Sequence, residues 1–276
     1  MRQCGPSAQY AVMAIVLLHC SGSSGAQWRA LMAQLGARHR VLAPDLIGYG
    51  ASAPWSGGRF RLASEAAPVR SLMGGVDEPV HLVGHSYGGA VALHIARTRP
   101  ERIRSLTLVE PSAFHLLRDG EAIDTVALSE IIEVAVDVRL AVASGDLDAG
   151  FGRFVDYWSG PGSWAAMLPE KRAAFAPQLA KVVLDFDALL GDPAGLEDVR
   201  DLGLPTLIVQ GGATRLPSRC VCRLLRAAMP QAKFEVVPDA GHMLPITHRD
   251  QVNALIVAHI QRNSAYYGEH HARLAA

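Results

Sequence analysis

The chain has 276 residues, of which half are apolar and 19% are charged, a composition typical of a folded globular protein and not of a disordered one. Its 26 basic and 26 acidic side chains balance, so no net charge attracts nucleic acid or an anionic membrane surface. A chain of this length is long for one domain, yet single α/β domains of this size are common. We therefore interpret residues 1–276 as one domain.

The first third of the sequence alternates short apolar runs with helical patterns. The apolar runs predict buried strands at 14–18, 40–43, 80–83 and 103–109, with helical spacing between them. Each parallel crossover needs a dozen or more residues, so strands separated by helices predict a mostly parallel sheet. Since these strands are apolar on both faces, we expect helices to cover both faces of the sheet.

The pattern changes between residues 111 and 204, where no strand is indicated. This segment has helical stretches at 125–143 and 171–190 and a cluster of aromatic residues, so it predicts a helical lid inserted between two strands of the sheet. Alternation then resumes, with strands expected at 205–209 and 234–237 and a helix after each. The C-terminal end, with His270 and His271, is expected to be a frayed surface segment.

A nucleophile motif, Gly84-His85-Ser86-Tyr87-Gly88, follows the third predicted strand and precedes a helix. A sharp turn from strand to helix lifts a serine hydroxyl above the sheet edge, and glycines on either side of the serine avoid collisions with neighbouring backbone. The N-terminus of the following helix offers a positive dipole end to developing negative charge. The motif in this context predicts that Ser86 is a nucleophile.

Four segments together resemble the successive landmarks of the α/β-hydrolase superfamily. They are Leu17-Leu18-His19, the run from Pro44 to Gly50, the run from Gly84 to Gly89, and the run from Asp239 to Met243, and they span about residues 12–260. The resemblance implies a catalytic triad in the order Ser, Asp or Glu, His, and an oxyanion hole near the first loop. It also implies that the short antiparallel strands that often precede the first landmark are abbreviated into residues 1–12 or absent.

His242 is the predicted general base. It alone among the eleven histidines follows a late strand through a glycine-containing turn, from which an imidazole can reach the serine. A histidine titrates near neutral pH and suits proton transfer to and from the serine. His19 and His85 flank the site and are expected to support loop conformation.

The acid of the triad is not at the position where family members often carry an Asp, because Thr214 occupies that place. Glu110 is our candidate, since it ends the fourth strand at the C-terminal edge of the sheet, where ligands bind in open α/β folds. Certain haloalkane dehalogenases resemble this arrangement, since they carry the acid of the triad after this earlier strand. The alternatives are that Glu110 only caps a turn or pairs with Arg118, and that an aspartate completes the triad. These aspartates are Asp239, Asp192, Asp198 and Asp201.

The oxyanion hole needs two backbone donors. The first is expected to be the N–H of Tyr87, the residue after the nucleophile, and the second the N–H of Ser21 in the loop after the first strand. Cys20 stands where the family usually has glycine, and its Cβ disfavours positive φ angles there, which restricts the loop conformations that can present the second donor.

An apolar run at 10–18 has the character of a signal-peptide core, but it is too short to span a bilayer and is needed as the first strand. We therefore expect a cytoplasmic protein without membrane insertion. The cysteines fit no metal-binding pattern and are expected to be free thiols, and no cofactor or metal ion is expected. These cysteines are Cys4, Cys20, Cys220 and Cys222.

The sequence thus predicts hydrolysis of an ester or related acyl compound through a Ser86 acyl-enzyme, on a small apolar substrate. Dehalogenase and epoxide hydrolase chemistry is disfavoured, because those enzymes resemble this scaffold with an Asp nucleophile. Two alternatives stay open: an acyltransferase, lyase or C–C hydrolase with the same triad, and a ligand-binding relative with little turnover. The sequence carries no signal for an oligomeric state.

Overall fold

The central element of the fold is a six-stranded parallel sheet with the strand order β2-β1-β3-β4-β5-β6. A computed structural model describes residues 12–274 of the chain, with side chains up to residue 264. The strands are β1 (Ala14–Leu18), β2 (Arg40–Leu42), β3 (Val80–His85), β4 (Ile103–Val109), β5 (Thr206–Gly211) and β6 (Lys233–Val237). The predicted parallel sheet is confirmed.

Alternate residues of the strands point to opposite faces, and helices cover both. On β1, Val16 and Leu18 join the core cluster that contains residues of α2, α3 and α9, whereas Ile15 and Leu17 join a second cluster with α1 and α11. All five residues of β1 are buried, as expected for a strand covered on both sides. The flanking helices are α1 (Arg29–Leu35), α2 (Leu62–Gly74), α3 (Tyr87–Thr98), α9 (Leu216–Ala228) and α11 (Arg249–Leu274).

Only helices and turns occupy the fully described segment between β4 and β5. A short 3-10 helix (Phe114–Asp119) precedes α4 (Ala122–Ser144), α5 (Leu147–Ser159), α6 (Pro169–Phe175), α7 (Leu179–Gly191) and α8 (Glu197–Arg200). The helical stretch predicted at 171–190 consists of α6 and α7, which a 3-10 turn at Ala176–Gln178 separates. Pro177 explains the break, because proline has no N–H to continue an α-helical ladder.

The remaining helix, α10 (Leu244–Thr247), lies between β6 and α11. Residues 1–11, with Cys4 and any abbreviated strands, lie outside the described residues, as do the side chains of His270 and His271. Cys20, Cys220 and Cys222 are buried free thiols. Within residues 12–274, no helix is long and apolar enough to cross a membrane.

Candidate active site

Ser86 lies at a sharp turn between β3 and α3, with φ of 55° and ψ of −119°. A non-glycine residue at positive φ is strained, so the surroundings must hold it there. Its N–H donates to the carbonyl of Val109 at 3.0 Å, and its own carbonyl accepts from the N–H of Ser112 at 3.0 Å. These contacts fix the turn against the end of β4.

The glycines around Ser86 are required by close backbone approach. A Cβ at Gly84 would lie 2.2 Å from the carbonyl oxygen of Gly88, and a Cβ at Gly88 would lie 2.5 Å from the carbonyl oxygen of His19. The N–H of Gly88 also donates to that His19 oxygen at 3.1 Å. The turn is therefore packed directly against the loop that follows β1.

His242 lies in the loop between β6 and α10, with its ring buried beside Ser86. The Ser86 hydroxyl lies 2.8 Å from His242 Nε2, the geometry of a hydroxyl donating to an unprotonated ring nitrogen. The backbone carbonyl of His242 accepts from His85 Nε2 at 2.9 Å, and Gln27 lies 3.1 Å from the other nitrogen of that ring. Burial lowers the pKa of His85 to about 3, so this ring is neutral and holds the loop.

Glu110 reaches the opposite side of the same imidazole. Its Oε2 lies 2.9 Å from His242 Nδ1, so the ring donates to the carboxylate through Nδ1–H and presents Nε2 to Ser86. Glu110 has φ of 44° and is fully buried. Its N–H donates to the carbonyl of Val209 at 2.9 Å, which ties the strained residue to β5. The structure brings Ser86, His242 and Glu110 into one hydrogen-bonded chain.

Two neighbours of Glu110 were missed as site residues by sequence reasoning. The N–H of Gly211 donates to Oε1 at 2.7 Å, and the hydroxyl of Thr214 donates to Oε2 at 2.6 Å. Ser218, on α9, places its hydroxyl 3.3 Å from His242 Nδ1. The sequence did offer a signal for Thr214. It occupies the position where family members often carry the acid, and a side chain at that position is expected to face the imidazole.

The rival carboxylates lie elsewhere. Asp239 is exposed, and Asp192 pairs with His94 and Arg97. Asp198 accepts from the N–H of Gly195, and Asp201 is exposed. Arg118 hydrogen-bonds backbone carbonyls of the inserted helices and not Glu110.

The expected oxyanion donors lie on either side of the turn. Tyr87 is the first residue of α3, so its N–H has no partner within the helix. Among the described residues, the N–H of Ser21 has no hydrogen-bond acceptor. The positive φ of this loop falls on Gly22, at 65°, and Cys20 is not among the described residues with positive φ. The Cβ of Cys20 therefore introduces no strain.

Ser21 is also held through its side chain. Its hydroxyl donates to Asp185 Oδ2 at 2.6 Å, and the hydroxyl of Tyr49 donates to the same oxygen at 2.5 Å. The other oxygen of Asp185 binds Lys181, whose Nζ also lies 3.1 Å from Glu65 Oε2. This buried polar cluster, Ser21, Tyr49, Glu65, Lys181 and Asp185, joins α7 to α2 and to the loop after β1.

Lys181 is enclosed by aromatic rings as well as by carboxylates. Its Nζ lies 4.7 Å from the ring centroids of Tyr49, Phe60 and Tyr87. Burial raises the pKa of Glu65, and Lys181 opposes that rise. The cation thus lies where charge attraction and cation–π contacts replace its lost hydration.

A cavity of about 360 Å³ opens beside Ser86 and is lined by residues of α5 and of the His242 loop. Trp158 of α5 packs on the His242 ring, with centroids 4.1 Å apart, and so covers the imidazole from the side of the inserted helices. Among the described residues that line this cavity, none is Asp, Glu, Lys or Arg. The cavity therefore suits an apolar molecule.

Comparison with known proteins places this geometry in a family. Residues 15–255 match the model of the alpha/beta hydrolase family. Lipase LipV of Mycobacterium tuberculosis is 30% identical over 265 residues, which cover 91% of this chain and 94% of the relative. The pimeloyl-acyl-carrier-protein methyl ester esterase of Aeromonas hydrophila is 29% identical over 254 residues, covering 88% of this chain and 93% of the relative. The chain belongs to the α/β-hydrolase family.

The fold is also shared with solved structures. MGS-M2, an alpha/beta hydrolase enzyme from a deep-sea metagenome library of the Medee basin, superposes with a TM-score of 0.77 at 17% identity. The match covers 93% of this chain and 92% of that one. Relatives named as an esterase and a lipase support a hydrolase.

Proposed function

We propose that this protein is a serine hydrolase of the carboxylesterase type, with Ser86 as nucleophile, His242 as general base and Glu110 as the acid of the triad. The observation that carries the proposal is the buried chain of hydrogen bonds, at 2.8 Å from Ser86 Oγ to His242 Nε2 and 2.9 Å from His242 Nδ1 to Glu110 Oε2. Both distances fall within the range needed for proton transfer and for orienting the base.

In the first half of the reaction, Ser86 Oγ attacks the acyl carbon while His242 Nε2 takes the serine proton. Glu110 holds the Nδ1–H tautomer and stabilises the imidazolium that forms. The proton then passes from Nε2 to the departing alcohol oxygen. In the second half, His242 takes a proton from water, whose oxygen attacks the acyl carbon, and Ser86 leaves with the proton restored.

The N–H groups of Tyr87 and Ser21 are proposed to bind the oxyanion formed in each half. Neither donates to another acceptor among the described residues, Tyr87 follows Ser86 in the chain, and Ser21 lines the same cavity as Ser86. Removing one such donor typically costs about 10²–10³ in kcat.

The chain is proposed to form one α/β-hydrolase domain, residues 1–276. The helices inserted at about 111–204 are proposed to act as a lid over its active site. α5 supports this role, because Trp158 covers His242 and, with Phe154, lines the cavity. An apolar wall without charged groups favours a small apolar ester as substrate.

The proposal is tested with p-nitrophenyl acetate and a fluorophosphonate probe. We expect the wild-type protein to hydrolyse the ester and to form a covalent adduct at Ser86. Ser86→Ala must lose both, while Ser112→Ala, which alters the neighbouring hydroxyl 3.1 Å away, must keep the adduct. Absence of turnover and of adduct in the wild type would overturn the hydrolase assignment and favour a ligand-binding protein.

A further inference from the structure

Two cavities of very different size meet at Ser86. The outer cavity is the one of about 360 Å³ beside His242. The inner cavity has only about 10 Å³ of free space and lies between Ser86, Ser112 and α7. Ser21, Phe154 and Trp158 line both cavities, so the nucleophile stands at their junction.

The position of His242 decides which part of an ester occupies which cavity. His242 lines the outer cavity and does not line the inner one. Because the departing alcohol takes its proton from His242 Nε2, the alcohol part of the ester must lie in the outer cavity. The acyl part stays bonded to Ser86 Oγ and is directed to the remaining space, which is the inner cavity.

The inner cavity limits the length of the acyl group. A space of about 10–15 Å³ on this measure holds one water molecule, which is close to the size of a methyl group. Its back wall is one face of α7, formed by the buried side chains of Val182, Phe186 and Leu189. A longer chain would have to displace this packed face, which is bound to the rest of the fold through Lys181 and Asp185.

The inner cavity also disfavours an anionic acyl group. Asp185 is the charged side chain among the described residues that line either cavity, and it carries a carboxylate. A substrate carboxylate placed there would meet Asp185 in a buried setting, and Lys181 already pairs with both Asp185 and Glu65, so this cation is not free to bind the substrate.

We infer that the inner cavity is the acyl pocket, and that the enzyme is selective for esters of an uncharged two-carbon acid with a longer apolar alcohol. The inference rests on the proposed function and adds the substrate class. Ser86 Oγ bonds the acetyl carbon as the bond from that carbon to the alkoxy oxygen breaks, and the proton held by His242 ends on the released alcohol. Water then cleaves the acetyl-enzyme to acetate, with one proton released to solvent.

Two isomeric esters test the inference without changing size or leaving-group class. Hexyl acetate and ethyl hexanoate have the same formula, but they place the long chain on opposite sides of the reacting carbonyl. With the wild-type protein, we expect kcat/KM for hexyl acetate to exceed that for ethyl hexanoate by about tenfold or more, since binding differences of a few methylenes are of this order.

A matched pair of variants assigns the effect to the inner wall. Leu189 lines the inner cavity, whereas Leu140 of α4 is exposed and lines neither cavity. Leu189→Ala should raise the ratio of ethyl hexanoate to hexyl acetate turnover at least fivefold, while Leu140→Ala should leave this ratio unchanged, by the same pocket-size reasoning that gives about 10–200-fold discrimination per methylene. The wild-type isomer ratio is informative even if Leu189→Ala does not fold.

The outcomes separate the two proposals. Ser86-dependent hydrolysis of ethyl hexanoate at a rate equal to or above that of hexyl acetate would overturn the acyl-pocket assignment and leave the hydrolase function standing. A wild-type preference for hexyl acetate that folded Leu189→Ala does not relax would also overturn it. No Ser86-dependent hydrolysis of either ester would overturn the proposed function and the acyl-pocket inference together.

Discussion

Thr214 donates its hydroxyl hydrogen to Glu110 Oε2 at 2.6 Å. The residue at the position where many relatives carry the acid therefore hydrogen-bonds Glu110, the acid that we propose, which follows a different strand. The loop after β5 thus still acts on the His242 ring, because the neutral Thr214 hydroxyl holds the Glu110 carboxylate in place.

The role of Glu110 predicts a large loss of activity in Glu110→Gln. The amide presents an NH₂ group where the carboxylate accepted the Nδ1–H, so the productive histidine tautomer loses its partner. We expect kcat for p-nitrophenyl acetate to fall by about 10² or more, toward the roughly 10⁴ seen when a triad acid is replaced by its amide. Activity near that of the wild type would transfer the role to another carboxylate.

The same geometry predicts that a second substitution can restore activity to Glu110→Gln. Thr214→Asp in the Glu110→Gln background places a carboxylate within reach of His242 Nδ1 and should restore at least about tenfold of the lost kcat, because a charged acceptor again orients the ring. In the wild-type background Thr214→Asp sets two carboxylates side by side and should lower stability. A double variant no more active than Glu110→Gln would show that the loop after β5 cannot position an acid.

The contact between Ser21 and Asp185 predicts an effect on kcat without an effect on KM. Ser21→Ala keeps the backbone N–H proposed for the oxyanion hole but removes the hydroxyl that anchors it to Asp185. We expect kcat to fall by about tenfold, a fraction of the 10²–10³ for loss of a donor, with KM unchanged. Ser21→Thr, which keeps a hydroxyl, should retain most of the activity.

A double-variant cycle isolates this contact from the packing of Asp185. If Asp185 acts through Ser21, then Asp185→Asn should lower kcat, and Ser21→Ala combined with it should add little more. Fully additive losses would mean that Asp185 affects activity by another route.

Lys181 predicts a large cost to stability when its charge is removed. Lys181→Met leaves Glu65 and Asp185 buried without their cation, and breaking a buried ion pair in this way costs about 3–5 kcal/mol. The exposed pair of Arg139 and Asp187 gives the matched control, since Arg139→Met should cost only about 0–1 kcal/mol. Urea denaturation monitored by circular dichroism measures both. Equal losses in the two variants would contradict the role of the buried cluster.

Five buried histidines predict instability in mild acid. Burial lowers the pKa of His81 and His85 to about 3, and that of His19, His115 and His259 to about 4, from a usual value of 6.5. Because these pKa values are lower in the folded state, the unfolded state binds more protons between pH 6.5 and pH 4. The free energy of unfolding must therefore fall as the pH drops below 6.5.

The measurement is the urea midpoint at pH values from 7.5 to 5. We expect a steep decline below pH 6.5, and a shallower decline in His81→Gln, which removes one of the five groups while keeping a partner for the Ser105 hydroxyl 2.7 Å away. A midpoint that does not change over this interval would show that these rings are protonated or accessible in the folded protein.

The sequence predicted the sheet and the Ser86 turn well because both depend on local patterns. A five-residue apolar run marks β1, and a seven-residue segment rich in Ile, Leu and Val marks β4, with the bounds seen in the structure. Gly84 and Gly88 signal the close backbone approach at the Ser86 turn. Glu110 was also within reach, because the end of a parallel strand is a predictable location. Its role remains a proposal.

Features that depend on long-range packing could not be predicted from the sequence. Ser21 and Asp185 are 164 positions apart, and no pattern links a loop after β1 to the middle of a helix in the insertion. The break at Pro177 was readable from proline chemistry but was overlooked within a strong helical pattern. The volume of the inner cavity depends on how several side chains fill one space, which no linear pattern encodes.

The arrangement of α7 affects how the substrate preference of this enzyme can change by mutation. One part of its surface anchors it to the body of the protein through Lys181, while Val182, Phe186 and Leu189 form a wall next to Ser86, the proposed nucleophile. None of these three positions contributes to the hydrogen bonds among Ser86, His242 and Glu110. Substitutions at these three sites would then change the length of the acyl chain that the enzyme prefers. The groups proposed to break the ester bond would stay the same. Such modularity makes this helix the natural target for a small combinatorial library.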